Sequence, residues 1–306
     1  MNAPDLIFDT HTHYDFSQFD GDRDTVINAL ASNGVGMVLN VGSDMRSSAA
    51  SVALARKYPF IYATVGVHPH DAKTLTERSM DELKTLAADR KVVAFGEIGL
   101  DFFRNLSPPD VQRKWFKRQL EIAWGLRLPV IIHSRDADEE VYGIMAGSPY
   151  GDGGRWLKGG SPVDGGGAEG LRSLEGEVGR CNPSAPPPCG VTRNCPTLPP
   201  GGVIHAFPGD VALAQRYVDM GFYLGIGGVL TYDKTGRLKA VVEAMPLDRL
   251  LLETDCPYLT PAPHRGKRNE SGYLRYVVDA VSQIKNVSPD VVRGQTYENA
   301  RTLFGV

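Results

Sequence analysis

Residues 6–15 read LIFDTHTHYD. The apolar run Leu6-Ile7-Phe8 reads as a strand buried on both faces, as in a parallel sheet. It leads into Thr10-His11-Thr12-His13, with no glycine between. That choice separates two α/β folds. An open doubly wound sheet, the runner-up, wants a glycine-rich phosphate loop after its first strand. A (β/α)8 barrel instead gathers chemistry-bearing side chains at the C-terminal ends of its strands.

Seven further runs of the same kind follow: 36–41, 61–67, 92–95, 130–132, 203–204, 222–226 and 250–252. Helical patterns fill the gaps. In 109–126, Pro109 stands near the start, and Val111, Trp115, Leu120 and Ala123 recur at helical spacing. A short helix is expected over 136–145. Asn33-Gly34 closes an earlier helix, and Ser288-Pro289 opens the last as N-cap and first-turn proline. Eight strands alternating with helices give a (β/α)8 TIM barrel.

The chain has 306 residues, more than those elements need. Gly and Pro show where the excess lies. Residues 146–202 hold 15 Gly and 9 Pro in 57 positions, while the other 249 hold only 19 and 12. The expectation is one barrel domain over 1–306, interrupted at 146–202 by a flexible Gly/Pro-rich insertion too poor in periodic apolar residues to offset its ordering entropy. It falls between strands 5 and 6, after a helix, so it replaces a connection on the face away from the strand C-termini. A catalytic lid is therefore not expected there, and activity should survive its excision. Cys181, Cys189 and Cys195 lie in this segment with no zinc-binding spacing.

No apolar stretch is long enough to span a membrane, and the start lacks the basic and apolar regions of a secretory signal. The expected location is cytoplasmic. A net charge of −3 argues against a broad electrostatic grip on nucleic acid, though not against a local basic patch.

Six of the seven histidines follow an apolar run: His11 and His13 the first, His68 and His70 the third, His133 the fifth, His205 the sixth. Glu97 follows the fourth and Asp255 the eighth. In a barrel these positions share one rim, and desolvating so many imidazoles and carboxylates together is costly unless a divalent metal pair compensates the charge. His11 and His13, two apart on an extended segment, point the same way and bind one ion with Asp255. His133 and His205 bind a second, and Glu97 bridges both. Two such ions clamp the attacking and leaving oxygens of a displacement. Mg²⁺, Mn²⁺ and Zn²⁺ all remain open from this ligand set.

Other rim residues carry weaker signals. Arg104, Arg135 and the loop His264-Arg265-Gly266-Lys267-Arg268-Asn269 could hold substrate phosphates or stand as solvated charge. Tyr14, Phe102 and Phe103 could stack on bases, with core packing the plainer reading. His70 is read as shaping the His68 turn, Asp101 as structural or as orienting a ligand, and Cys256 as structural.

The motifs FDTHTHYD (8–15), GVHPHDA (66–72), FGEIGLDFFR (95–104), IIHSRDAD (131–138), IHAFPGD (204–210) and LLETDCPYLTP (251–261) resemble those of the TatD family of metal-dependent hydrolases. The resemblance runs from residue 6 to about 305. It implies a TIM barrel of the amidohydrolase kind, with His11, His13 and Asp255 on one metal, His133 and His205 on the other, and Glu97 between. It implies deoxyribonuclease activity, often 3′→5′ exonuclease, with DNA as substrate. Asp255 would then orient the water and take its proton, and His68 would contact the scissile phosphate. The alternative is hydrolysis of a carbonyl bond, such as a D-aminoacyl-tRNA ester or an amide, which the same metals polarise equally well. No membrane partner is expected, and none is assigned to the insertion.

Overall fold

The computed structural model describes residues 6–148, 150 and 201–306. Eight strands form one parallel sheet in sequential order: β1 (Ile7–Thr12), β2 (Val35–Asn40), β3 (Ile61–Val65), β4 (Val92–Asp101), β5 (Val130–Arg135), β6 (Gly202–Ile204), β7 (Tyr223–Ile226) and β8 (Leu250–Leu252). The ring closes beyond β8, where Thr12 and Cys256 form a parallel bridge. There the His13 amide donates to Cys256 O and the Asp255 amide to His11 O. This is the expected TIM barrel.

Nine α-helices are described: α1 (Arg23–Ala29), α2 (Met45–Lys57), α3 (Glu77–Ala87), α4 (Pro109–Gly125), α5 (Asp138–Ala146), α6 (Val211–Asp219), α7 (Arg237–Ala244), α8 (Leu274–Lys285) and α9 (Pro289–Phe304). Their ends follow local chemistry. Asp44, Asp210 and Ser288 accept amide hydrogens in the first turns of α2, α6 and α9. Gly34 takes the left-handed conformation (φ 77°) that lets the chain turn into β2. None of the described helices is long and apolar enough to cross a membrane.

The core has two parts. Most buried apolar residues pack between strands and helices. A smaller cluster draws on every strand: Phe8, Leu39, Tyr62, Val93, Ile131, Val203, Tyr223 and Leu251. Such a set meets only inside the barrel, and Tyr297, Ala300, Leu303 and Phe304 of α9 close it from below. Side chains two apart share a face of a strand. His133 therefore follows Ile131 into the barrel, and just past the ends of β6 and β8 His205 follows Val203 and Glu253 follows Leu251. The interior apolar layer thus aims the polar layer above it.

Three strands run further than their apolar runs. β1 includes His11, β4 includes Glu97 and β5 includes His133. These three residues lie within strands rather than after them. Backbone pairing continues through the polar residues, as Gly99 with His133 and Asp101 with Arg135 show.

The expectation of a flexible insertion falls on residues that lie almost wholly outside the described ones. At its edges the boundaries 146–202 are too wide. Ala146 still belongs to α5 and Gly202 opens β6. Tyr150 is buried, its hydroxyl donating to Leu128 O at 2.8 Å and its ring packed edge-on against Trp124. Composition counts Gly and Pro, whereas these few residues are held by packing.

Candidate metal centre

Three groups of possible metal donors stand at the top of the barrel: His11, His13 and Asp255; His68, Glu97 and His133; and His11, His205 and Glu253. The first group is the one expected from sequence. Among the described residues no such group joins His133 to His205. His133 instead stands with His68 and Glu97, while His205 stacks on His11 with ring centroids 3.5 Å apart. Glu97 lies between the halves, Oε2 3.4 Å from His11 Nε2 and Oε1 2.9 Å from His133 Nδ1 and 4.0 Å from His205 Nε2.

The tautomers can be read from the outer contacts. His13 Nδ1 donates to Val41 O at 2.9 Å, which leaves Nε2 as a free lone pair facing Asp255 Oδ1 at 3.4 Å. His205 Nδ1 lies 3.0 Å from Glu253 Oε1, so its Nε2 likewise faces inward. His133 Nε2 meets Asp101 Oδ2 at 3.2 Å, which turns Nδ1 toward Glu97. Each is an imidazole oriented from behind by an oxygen, the arrangement of metal-ligating histidines. His11 Nε2 and His13 Nε2 approach to 3.2 Å, and Asp255 Oδ1 lies 3.9 and 3.4 Å from them. Mixed imidazole and carboxylate donors, buried and aimed at common points, fit a divalent ion.

His68 differs. Its Nδ1 accepts the His70 backbone amide, so the neutral ring carries its proton on Nε2. Burial, followed by the neighbouring His133, holds its pKa well below the ordinary histidine value. It is a neutral N–H donor 3.7 Å from Glu97.

Charge is distributed to match. Burial pushes the Glu97 carboxyl up, but His68 and His11 outweigh it and hold the group well below the usual carboxylate range. Asp255 is also depressed, burial again being outweighed by His13 and His205. Burial opposes protonation of His205, yet Glu253, Glu97 and Asp255 raise it to about 10. Carboxylates stay ionised and imidazoles compete for protons that a cation would displace.

Several supporting residues escaped the sequence reading. Glu253 holds His205 and accepts the Ala206 amide. Asp9 accepts from the Thr254 amide and hydroxyl at 3.0 and 2.7 Å, fastening β1 to the segment after β8 and so setting His11 beside Asp255. Each stands two residues before a residue singled out from sequence, which was a usable signal. Asp101, already read from sequence as structural or as orienting a ligand, contacts both His133 and His70, the latter at 2.8 Å.

The proposed substrate contacts diverge. Arg104 and Arg135 are exposed, and Arg135 stacks on Phe103, itself 59% exposed, at 3.9 Å. Arg265 is exposed and lies over Tyr232 at 3.8 Å. Arg268 is tied to Asp22 by two 2.7 Å bonds and covers Phe19. Tyr14 is wholly buried, bonded to Ser271, and cannot meet a base; Phe102 is half-buried. Cys256 is buried. Two rim aromatics were missed: Phe16 stacks on His13 at 4.6 Å, and Tyr258, 48% exposed, stands edge-on to it.

A family model described as TatD related DNase matches residues 8–305. The chain is 35% identical to the uncharacterized metal-dependent hydrolase YabD of Bacillus subtilis, over 98% of this chain and all of that one. It is 33% identical to the 3′-5′ ssDNA/RNA exonuclease TatD of Salmonella typhimurium, over 98% and 99% of the two. Among solved structures, YjjV, a TatD homolog from Escherichia coli K12, superposes over both whole chains with a TM-score of 0.79 and 27% identity.

Proposed function

We propose a function from the premise that this chain belongs to the TatD-related DNase family and is a metal-dependent hydrolase: it cleaves phosphodiester bonds of single-stranded nucleic acid, DNA foremost, from the 3′ end. The observation that carries this reading is the buried donor cluster at the top of the barrel, in which His11, His13 and Asp255 form one group and His68, Glu97 and His133 another, with His205 stacked on His11. Divalent ions bound there supply Lewis acidity toward a phosphoryl oxygen and lower the pKa of water to be used as nucleophile.

The chain's own residues do the rest. Asp255, ionised and facing His13 Nε2, orients the attacking water and takes its proton on a carboxylate oxygen. His68 presents the Nε2 hydrogen of a neutral ring, suited to a non-bridging oxygen of the scissile phosphate. Asp101 keeps His133 and His70 in place from behind. Arg104, Arg135 and Arg265 hold the flanking phosphates as charge-assisted donors. Phe103, flat against Arg135, offers a base-stacking face.

The test is a panel of labelled single-stranded DNA, a carboxylic ester and an aminoacyl-tRNA, each assayed with Mg²⁺, Mn²⁺ or Zn²⁺ and with chelator. Metal-dependent shortening of the DNA from its 3′ end is the expected result. Hydrolysis confined to the carbonyl substrates would overturn the reading.

A further inference from the structure

We propose that a cavity beside Asp255 receives the 3′-terminal nucleoside of the substrate, with Glu253 Oε2 accepting a hydrogen bond from its free 3′-hydroxyl. The proposal rests on the nuclease reading and adds to it the element that recognises a chain end.

The cavity is about 400 Å³, within the range of roughly 300–1,000 Å³ usual for small-ligand sites. Strand β7 and the segments following β6, β7 and β8 build it. Phe207, Val229, Leu238 and Leu259 give it apolar walls suited to a flat base and a sugar. Asp255 and Glu253 line it on the side of the metal centre. Arg237 is an exposed cation on its lining, and no carboxylate among the described residues pairs with it. Asp233, the other charged lining residue, is consumed by capping α7, where it accepts from the amides of Thr235 and Leu238.

Glu253 is the second, independent observation. It is 1% exposed. Oε1 accepts the Ala206 amide and lies 3.0 Å from His205 Nδ1. Oε2 is buried and has no hydrogen-bond partner among the described residues. A Cβ at Gly225 would collide with this carboxylate, so the residue beneath must be glycine for Glu253 to sit where it does. A buried acceptor left unpaired costs free energy, and a donor on the ligand is what would satisfy it. Every terminal nucleotide has one donor in common, the 3′-hydroxyl. An internal nucleotide lacks it, because its O3′ is esterified.

The arrangement also assigns a direction. Phe103 and Arg104 stand just after β4 and Arg135 ends β5, whereas the cavity is built from β7 and the segments following β6 to β8. A strand bound with its scissile phosphate at the metal donors would lay its 5′ portion over the first edge and its last nucleoside in the cavity. A continuous strand has no free hydroxyl to offer Glu253.

Three 5′-labelled oligothymidylates, ending in a 3′-hydroxyl, a 3′-deoxy carbon or a 3′-phosphate, test this with the wild-type metal-loaded protein. The expected result is kcat/KM lower by about tenfold or more on the 3′-deoxy end, the size of a lost bond to a charged acceptor. The 3′-phosphate should be poorer still, and circular single-stranded DNA uncut. Val229→Trp, which fills the cavity, should abolish calorimetric binding of thymidine 5′-monophosphate while metal content stays at the wild-type level. Equal rates on all three ends, or cleavage of circular DNA at the linear rate, would overturn the cavity assignment and leave the nuclease reading standing. Failure to cut any DNA would overturn the nuclease reading and this proposal with it.

Discussion

His205 Nδ1 lies 3.0 Å from Glu253 Oε1, a contact that ties an imidazole at the end of β6 to a carboxylate just beyond β8. The pair fixes which nitrogen of His205 faces Glu97 and Asp255. Glu253→Ala should therefore lower metal affinity by about 10- to 100-fold, the usual cost of removing an orienting partner. Glu253→Gln can still accept from Nδ1 through its amide oxygen and should recover most of the loss. Titration calorimetry with Mn²⁺ would show it. Wild-type affinity in the alanine variant would show that His205 is held by other means.

A donor set assembled only in the folded chain couples metal binding to stability. At metal concentrations about a thousandfold above Kd the gain is about 4 kcal/mol. For a barrel of this size that corresponds to a Tm rise of about 10 °C, from roughly 2–4 °C per kcal/mol. His11→Ala combined with His13→Ala should remove most of the rise. Because imidazole must be neutral to bind a cation, loading releases protons, and apparent affinity should climb with pH. Calorimetry in two buffers of different ionisation enthalpy measures the release. An unchanged metal-induced shift in the double variant would place the ion elsewhere.

What the sequence made legible follows from two periods. Short apolar runs marked all eight strands, and histidines beside them marked the rim, because burial on both faces and convergence at strand ends leave strong local traces. Partners that act across the barrel left weaker ones. Asp9 and Glu253 look like ordinary strand polar residues until Thr254 and His205 are seen against them. The grouping of His133 with His68 and Glu97 is set by placement across three strand ends, which no spacing along the chain encodes. Arg268 shows the converse: its basic loop suggested phosphate, and the Asp22 carboxylate opposite lies almost 250 residues away in sequence.

Phe103 is the most exposed large apolar side chain on the rim and lies against the Arg135 guanidinium at 3.9 Å. An aromatic held flat by a cation and open to solvent suits base stacking, worth about 1–3 kcal/mol per base. Phe103→Ala should raise KM for oligothymidylate by about tenfold and leave kcat nearly unchanged. Hydrolysis of bis(p-nitrophenyl) phosphate, which has no bases to stack, should be unaffected. Parallel losses on both substrates would mean that Phe103 supports the metal centre rather than the strand.

Two deletions separate composition from packing as guides to where the barrel ends. Removing 151–200 and joining Tyr150 to Gly201 through a short Gly-Ser linker leaves every described element in place. Such a protein should keep near-wild-type kcat, because both joined ends lead from α5 to β6, away from the donor cluster. Removing 146–202 instead takes away the buried Tyr150 and the first residue of β6. Gly202 packs so closely on Phe222 and Val130 that no larger residue could replace it unaided. Losing a buried aromatic alone costs about 3–5 kcal/mol. That is a large share of the roughly 5–15 kcal/mol that holds a domain folded. Urea denaturation should find the wider deletion less stable by at least that aromatic contribution. Equal stability of the two would mean that Tyr150 and the first residue of β6 are dispensable to the barrel.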